Sequence, residues 1–155
     1  MDTLEKLYQI ASDENIIIDY TDSLPNKMLG LHIHLEGIGN IISILDSIKN
    51  DKNKLIEVLG EELGHYFTSI GDNLINIKNY RDYLKICKCE KQALNWSLNA
   101  VISNKDLERA FKNNCSSYFD IAQYLNIPEK LVIEKFKYLA SKSNNGYIEY
   151  CAISK

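Results

Sequence analysis

The sequence predicts an α+β fold, with an N-terminal antiparallel sheet of about three strands followed by a helical C-terminal half. Short β-type runs occupy residues 15–45, whereas the apolar residues after Asp51 recur at helical spacing. Strands grouped before helices, rather than alternating with them, are typical of this class. The 155 residues fit a single domain over 1–155, and that length can bury a core without disulfides.

The N-terminal elements follow from local patterns. Residues 29–35 alternate, with four apolar side chains on one side and Gly30, His32 and His34 on the other, which is typical of a half-buried strand. The predicted elements are a helix at 2–11, strands at 15–20, 29–35 and 38–45, and turns at Pro25-Asn26 and Glu36-Gly37.

Helices dominate the rest of the chain. Leu55, Leu59, Leu63, Tyr66 and Ile70 recur at helical spacing and predict a core-facing stripe. Two further elements are predicted before the tail, a connection with a short strand at 72–80 and a helix from about Cys89 to Ile102. The tail over 104–155 is predicted to be mainly helical, with a helix at 105–112, a helix-turn-helix-like segment at 119–139 and a terminal strand at 146–153.

Composition narrows the function classes. With 21 acids against 18 Lys and Arg, the formal net charge is −3, whereas domains held to nucleic acid by bulk charge are usually strongly basic. No run approaches the ~18 apolar residues that a membrane span needs. The N-terminus lacks the layout of a secretion signal, so we expect a cytoplasmic protein without a membrane partner.

The four cysteines are Cys87, Cys89, Cys115 and Cys151. Without an oxidising compartment, they are predicted to be buried or half-buried free thiols rather than disulfides. The C-x-C spacing of the first two differs from the C-x-x-C of redox and zinc sites. A second interpretation places one of this pair near a metal, because Glu90 follows directly.

The segment Glu61-Glu62-Leu63-Gly64-His65 carries the main functional signal. At ~100° per residue, Glu61 and His65 lie one turn apart on the same helix face, beside the core stripe. Two potential ligands at this spacing, with Glu62 following the first, match the layout of H-E-x-x-H metallopeptidases. The alternative is a Glu/His pair on a solvated helix face without a ligand.

Glu90 is the second piece of the candidate site. On a helical wheel it shares a face with Leu94, Ser97 and Val101, which predicts a buried carboxylate. A buried carboxylate needs a partner, because an unpaired one costs several kcal/mol. A metal shared with Glu61 and His65 would supply it, and a salt bridge to Lys or Arg is the alternative.

Two motifs resemble the ImmA/IrrE family of zincin-type metallopeptidases. Residues 58–67, VLGEELGHYF, are similar to the family's active-site helix with its H-E-L-G-H. The segment beginning at Glu90, with Ala93, Trp96 and Ser97, resembles the family's E-x-x-A-x-x-F/W-A pattern, whose Glu is the third metal ligand. The resemblance covers residues 15–140 and differs at Glu61, where the family usually has His.

This resemblance implies a zincin-like fold with the sheet packed on the active-site helix. It implies that Glu61, His65 and Glu90 are metal ligands for Zn²⁺ or another divalent metal, and that Glu62 is the general base. The implied function is a metal-dependent endopeptidase that cleaves a specific protein partner, a helix-turn-helix repressor of a phage or mobile element. The alternative is a non-catalytic zincin-fold regulator that binds a protein or DNA.

Two further patterns are weaker. His32 and His34 could form a metal pair, but they lie on the polar side of a strand and lack a third ligand at a suitable spacing. The helix-turn-helix-like segment has Asn126 in place of the usual Gly, and its second helix carries few net positive charges. Because phosphate contacts dominate DNA affinity, we expect packing or repressor docking here rather than direct nucleic acid binding.

Overall fold

The computed structural model describes residues 1–68 and 80–143, which form an α+β fold with a small mixed sheet and six helices. Within those two ranges, no helix is both long and apolar enough to cross a membrane. The strands are β1 Ile17–Thr21, β2 Gly30–Leu35 and β3 Gly39–Leu45, and the helices are α1 Thr3–Asp13, α2 Lys52–Thr68, α3 Tyr80–Val101, α4 Asn104–Lys112, α5 Tyr118–Leu125 and α6 Glu129–Lys142.

The sheet has the order β1-β3-β2, and the expectation of a fully antiparallel sheet is wrong. β3 pairs antiparallel with β2 but parallel with β1. The reason is the path of the chain, which passes from β1 to the far edge before the hairpin returns β3 to the centre. The turn at Glu36-Gly37 is confirmed, and Gly37 adopts φ +81°, a conformation that favours glycine.

The core lies between one face of the sheet and the helices. Ile42 and Ile44 on β3 are fully buried, as are Ile56, Leu59 and Leu63 on α2. The stripe predicted for this helix is confirmed over its described length, whereas Ile70 lies outside the described residues. The predicted helices at 2–11, 105–112 and 119–139 are also present.

Two glycines allow α2 and α3 to approach closely. A Cβ added to Gly60 would lie 2.5 Å from Oγ of Ser97, and one added to Gly64 would overlap the carbonyl oxygen of Ala93. Both pairs are spaced four residues apart on their helices, so they form one continuous contact. Side chains that flank this contact on the two helices are therefore brought together.

Helix α3 begins well before the predicted start near Cys89, at Tyr80. Its first turns are mostly exposed, with Tyr83 and Leu84 about half accessible. The strand predicted at 72–80 falls in the gap apart from residue 80, which is helical, and the strand predicted at 146–153 lies outside the described residues.

The predicted turn between α5 and α6 is confirmed, and Asn126 occupies it in the left-handed conformation at φ 54°. Asn tolerates this region better than most residues, which explains how it replaces the usual Gly. Helix α6 buries Leu131, Val132, Lys135 and Phe136. The Nζ of Lys135 donates a hydrogen bond at 2.7 Å to Oδ1 of Asn99, which joins α6 to α3, the helix that carries Glu90.

Candidate metal centre

The structure brings together the three side chains predicted to bind a metal. One ligand atom each from Glu61, His65 and Glu90 lies within 4.8 Å of the other two. Within the cluster, Nε2 of His65 lies 3.5 Å from Oε2 of Glu90. One imidazole and two carboxylates are donors that divalent cations accept, so the set fits such an ion.

The fold explains this convergence. Glu61 and His65 lie one turn apart on α2, and each directly follows a glycine that contacts α3. On the other helix, Glu90 precedes the contact residue Ala93 by three positions, so it lies on a neighbouring part of the same face. The close approach of the two helices thus determines the distance between His65 and Glu90.

Glu90 is more accessible than the sequence predicts. Its side chain retains 54% of its exposure, whereas the helical wheel predicts a buried carboxylate. The face is buried only from Ala93 onward, where α2 covers it, and Glu90 lies one turn earlier, at the lining of an open cleft. The side chain whose Nε2 lies 3.5 Å from its Oε2 is His65, rather than the Lys or Arg of the alternative interpretation.

Glu62 is not a member of this cluster, and its side chain is hydrogen-bonded to the sheet. Its Oε2 accepts a hydrogen bond of 2.8 Å from the backbone N–H of His32 on β2. The pKa of Glu62 is raised to about 7, chiefly by burial and to a smaller extent by the negative charges of Glu61 and Glu90, while the hydrogen bond from His32 acts in the opposite direction. A carboxylate with a pKa near neutrality is suited to acid–base catalysis at physiological pH.

Gly30 on β2 allows Glu62 to take this position. A Cβ added there would lie 2.9 Å from Cγ of Glu62 and 2.5 Å from Cγ1 of Val58, so a larger residue would collide with α2. Neither this contact nor the His32 bond was predicted from the sequence. The available signal was the glycine itself, because glycine inside a strand often marks a close approach of another element.

His32 and His34 do not belong to the cluster. Nε2 of His32 and Nδ1 of His34 lie 3.1 and 3.2 Å from the same oxygen, Oδ1 of Asn40. The ring of His32 also makes an edge contact with Tyr66 at 5.6 Å. Burial lowers the pKa of His32, against the Asn40 hydrogen bond, and the nearby His65 and His34 lower it further, so the neutral imidazole is favoured.

Two adjoining cavities surround the cluster. One, of about 400 Å³, lies between β2 and α2, and the other, of about 360 Å³, extends toward α6. Glu57, Glu61, Glu90 and Lys130 line both. Nζ of Lys130 lies 3.2 Å from Oε2 of Glu57, so the start of α6 forms part of the cleft wall.

Among the described residues, no cysteine belongs to the metal-capable cluster, which consists of Glu61, His65 and Glu90. Among the described cysteines, Cys89 and Cys115 are half-buried free thiols, as predicted, but Cys87 is exposed. Cys151 lies outside the described residues.

No protein-family model, curated protein or solved structure matches this chain. The similarity to ImmA/IrrE peptidases therefore stays a prediction that depends on the two motifs. The arrangement of Glu61, Glu62, His65 and Glu90 is an independent, geometric observation.

Proposed function

We propose that this protein is a metal-dependent endopeptidase that cleaves a specific protein partner. The observation that carries the proposal is the convergence of Glu61, His65 and Glu90, whose ligand atoms lie within 4.8 Å of one another beside Glu62. In zinc peptidases, three protein ligands leave a coordination position open for water or substrate. A carboxylate next to the first ligand on the same helix supplies the general base.

The donor set, one imidazole and two carboxylates, favours a divalent cation. It selects for Zn²⁺ less strongly than a site with two imidazoles would. Glu61, His65 and Glu90 would hold Zn²⁺, and carboxylate ligands also suit Mn²⁺. A bound divalent cation supplies Lewis acidity, which polarises a carbonyl and lowers the pKa of water.

The chain's own groups account for the remaining steps. Glu62 accepts a proton from the attacking water and donates it to the leaving amine, as a general base and then a general acid. His32 lines the same cleft, a cavity of about 400 Å³ between β2 and α2. An extended substrate segment pairs with the open edge of β2, where main-chain hydrogen bonds give affinity.

We infer that the substrate is a helix-turn-helix repressor of a phage or mobile element, and that the protein acts in the cytoplasm. The resemblance of residues 58–67 and of the segment from Glu90 supports this choice. The arrangement of α6 favours a protein partner over DNA: Lys130 pairs with Glu57 on α2, Lys137 pairs with Glu134, and Lys135 is buried. Few of its positive charges are left for phosphates.

A second candidate function is a regulator that retains the fold and binds its partner without cleaving it. It is favoured by Glu61, a carboxylate where H-E-x-x-H peptidases have imidazole, and by the accessibility of Glu90. Such a protein would bind its partner equally well after replacement of Glu62.

The test begins with metal binding. We expect Zn²⁺ to raise the midpoint of thermal unfolding of the wild type, because a ligand that binds only the folded state stabilises it. His65→Ala and Glu90→Ala should lose this shift, whereas Glu108→Gln, an exposed carboxylate on α4, should keep it. Equal shifts in all four proteins would contradict the proposed site.

Cleavage is tested in cells of the native host. Wild type and Glu62→Gln are expressed separately, and new protein N-termini are identified by mass spectrometry. We expect N-termini within a helix-turn-helix repressor that depend on Glu62. If Glu62→Gln generates the same N-termini, Glu62 is not the base, and if the wild type generates none beyond an empty vector, the non-catalytic function is favoured.

A further inference from the structure

The open edge of β2 presents an alternating set of backbone groups. The N–H of Leu45 donates to the carbonyl oxygen of Leu29 at 2.8 Å, which fixes the residues that bond to β3. In an antiparallel pair these alternate with residues whose N–H and C=O point the other way. Gly30, His32 and His34 therefore direct their backbone groups away from β3, toward the open side of the sheet.

Glu62 already occupies one of these positions. Its Oε2 accepts the bond from the N–H of His32 at 2.8 Å, the group that an added strand would use as a donor. The carboxylate reaches the strand because Gly30 lacks a side chain, as a Cβ there would collide with Glu62 and Val58. An acid from α2 thus covers the edge at the point where it passes the metal-capable cluster.

We propose that Glu62 and an extended polypeptide segment compete for the backbone N–H of His32, and that binding of the segment releases Glu62. The backbone amide of His32 is then a positioning group: it holds the carboxylate against the strand in the free protein and transfers its hydrogen bond to a carbonyl of the bound segment. The proposal depends on the proposed function for its catalytic meaning, since release frees Glu62 to act as a base only when a substrate is paired.

In the wild type, binding of the segment replaces one hydrogen bond to the His32 N–H with another, so this contact contributes little to the free energy of binding. Without an acceptor at position 62, the same N–H would gain a hydrogen bond on binding, and the segment would bind more tightly. A net hydrogen bond changes a binding constant about three- to tenfold. Removing the acceptor at position 62 should therefore increase affinity for an extended segment. This is the opposite of what is expected if Glu62 simply contacts the segment.

The experiment measures binding without metal, so that hydrolysis plays no part. The probe is a library of randomised ten-residue peptides, and the dissociation constants of the peptides that the wild type retains are measured for each variant. Glu62→Ala removes the acceptor, while Glu62→Gln removes the charge but keeps a carbonyl oxygen. Glu108→Ala, which removes an exposed acid on α4 that does not line the cleft, is the matched control.

We expect Glu62→Ala to bind these peptides about three- to tenfold more tightly than the wild type and Glu62→Gln. Glu108→Ala should bind like the wild type. Equal affinities for Glu62→Ala and Glu62→Gln, or peptide binding that is absent from every variant, would overturn the proposal. If the metal-loaded wild type does not hydrolyse the peptides that it binds, the proposed function is overturned, but the competition for the N–H of His32 is not.

A second measurement does not require Glu62→Ala to fold. Amide hydrogen exchange of His32 is compared in the wild type and in Glu62→Gln, which preserves the shape of the side chain. We expect slow exchange in both proteins, and continued protection in the peptide-bound wild type. Fast exchange of His32 in the free wild type would show that Glu62 does not hold its N–H, and would overturn the proposal.

Discussion

Gly64 on α2 lies so close to Ala93 on α3 that a Cβ on the glycine would overlap the carbonyl oxygen of the alanine. The neighbour of Gly64 is His65, and Glu90 lies one turn before Ala93. The separation of 3.5 Å between the His65 and Glu90 side chains therefore depends on a backbone contact between the helices. A change at the glycine should alter both stability and the metal-capable cluster.

Gly64→Ala is expected to destabilise the protein by about 1–3 kcal/mol, because the obstructing atom is backbone and can move only with its helix. The helices must separate, which moves Glu90 away from His65. We expect the variant to lose most of the Zn²⁺-dependent increase in the unfolding midpoint. Chemical denaturation with and without Zn²⁺ measures both effects.

Gly60→Ala provides the matched comparison. Here the obstructing atom is the side-chain Oγ of Ser97, at 2.5 Å from the added Cβ, and the Cβ of Ser97 lies at 3.6 Å. The double variant Gly60→Ala with Ser97→Ala should therefore recover stability that the single variant loses. If Gly64→Ala is as stable as the wild type, the close contact between the helices does not exist as described.

The convergence of Glu61, His65 and Glu90 follows from patterns that the sequence shows. Helical spacing placed the first two on one face, and the second motif placed Glu90 on a separate helix. The exposure of Glu90 did not follow, because a helical wheel shows which side chains share a face but not where the covering helix ends. The contact between Glu62 and the N–H of His32 also depends on tertiary structure.

The order of the strands likewise could not be predicted. Alternation at 29–35 and β-rich runs at 15–20 and 38–45 predict the three strands, and the turn at Glu36-Gly37 predicts the hairpin between the last two. Periodicity within a strand contains no information about its neighbours, so the insertion of β3 between β1 and β2 was missed. The first half of α3 was also missed, although Tyr83, Leu84 and Cys87 recur there at helical spacing.

Asn126 gives a prediction about the turn between α5 and α6. Its left-handed backbone, at φ 54°, is unfavourable for residues with a Cβ and without a local polar group. We expect Asn126→Ala to lower the free energy of unfolding by about 1 kcal/mol, and Asn126→Gly to leave it equal or higher. Gln123→Ala, an exposed change within α5, is the control. Equal stability of the Ala and Gly variants would contradict the conformation.

Lys135 gives a pH-dependent prediction. The residue is 1% exposed, and burial lowers the pKa of its ammonium group, an effect that the negative charge of Asp106 partly opposes. Between the lowered pKa and the unfolded value of 10.5, the unfolded chain binds more protons than the folded protein. Stability contributed by this group therefore rises with pH in that window and is constant below it.

The measurement compares the stability of the wild type with that of Lys135→Met from about pH 7 to about pH 10, a range that lies just below the ordinary lysine pKa. Methionine has a similar shape and no charge, so we expect the variant to be at least as stable as the wild type near neutrality. Its advantage should shrink as pH rises. Lys137→Met, an exposed lysine on the same helix, should show no such trend, and a pH-independent difference for Lys135→Met would contradict the burial of a charged group.

Glu61 gives a prediction about metal preference. Imidazole suits Zn²⁺, whereas carboxylates are harder ligands that also suit Mn²⁺. Glu61→His should therefore raise the ratio of Zn²⁺ to Mn²⁺ affinity by about tenfold, equivalent to 1.4 kcal/mol. Competition against a chromophoric chelator measures the two affinities in one assay. Glu57→His is the matched control, because residue 57 lies one turn earlier on α2 and lines the same cleft but is outside the cluster. An increase of the same size in both variants would mean that a histidine anywhere in the cleft recruits zinc, and that position 61 is not a ligand.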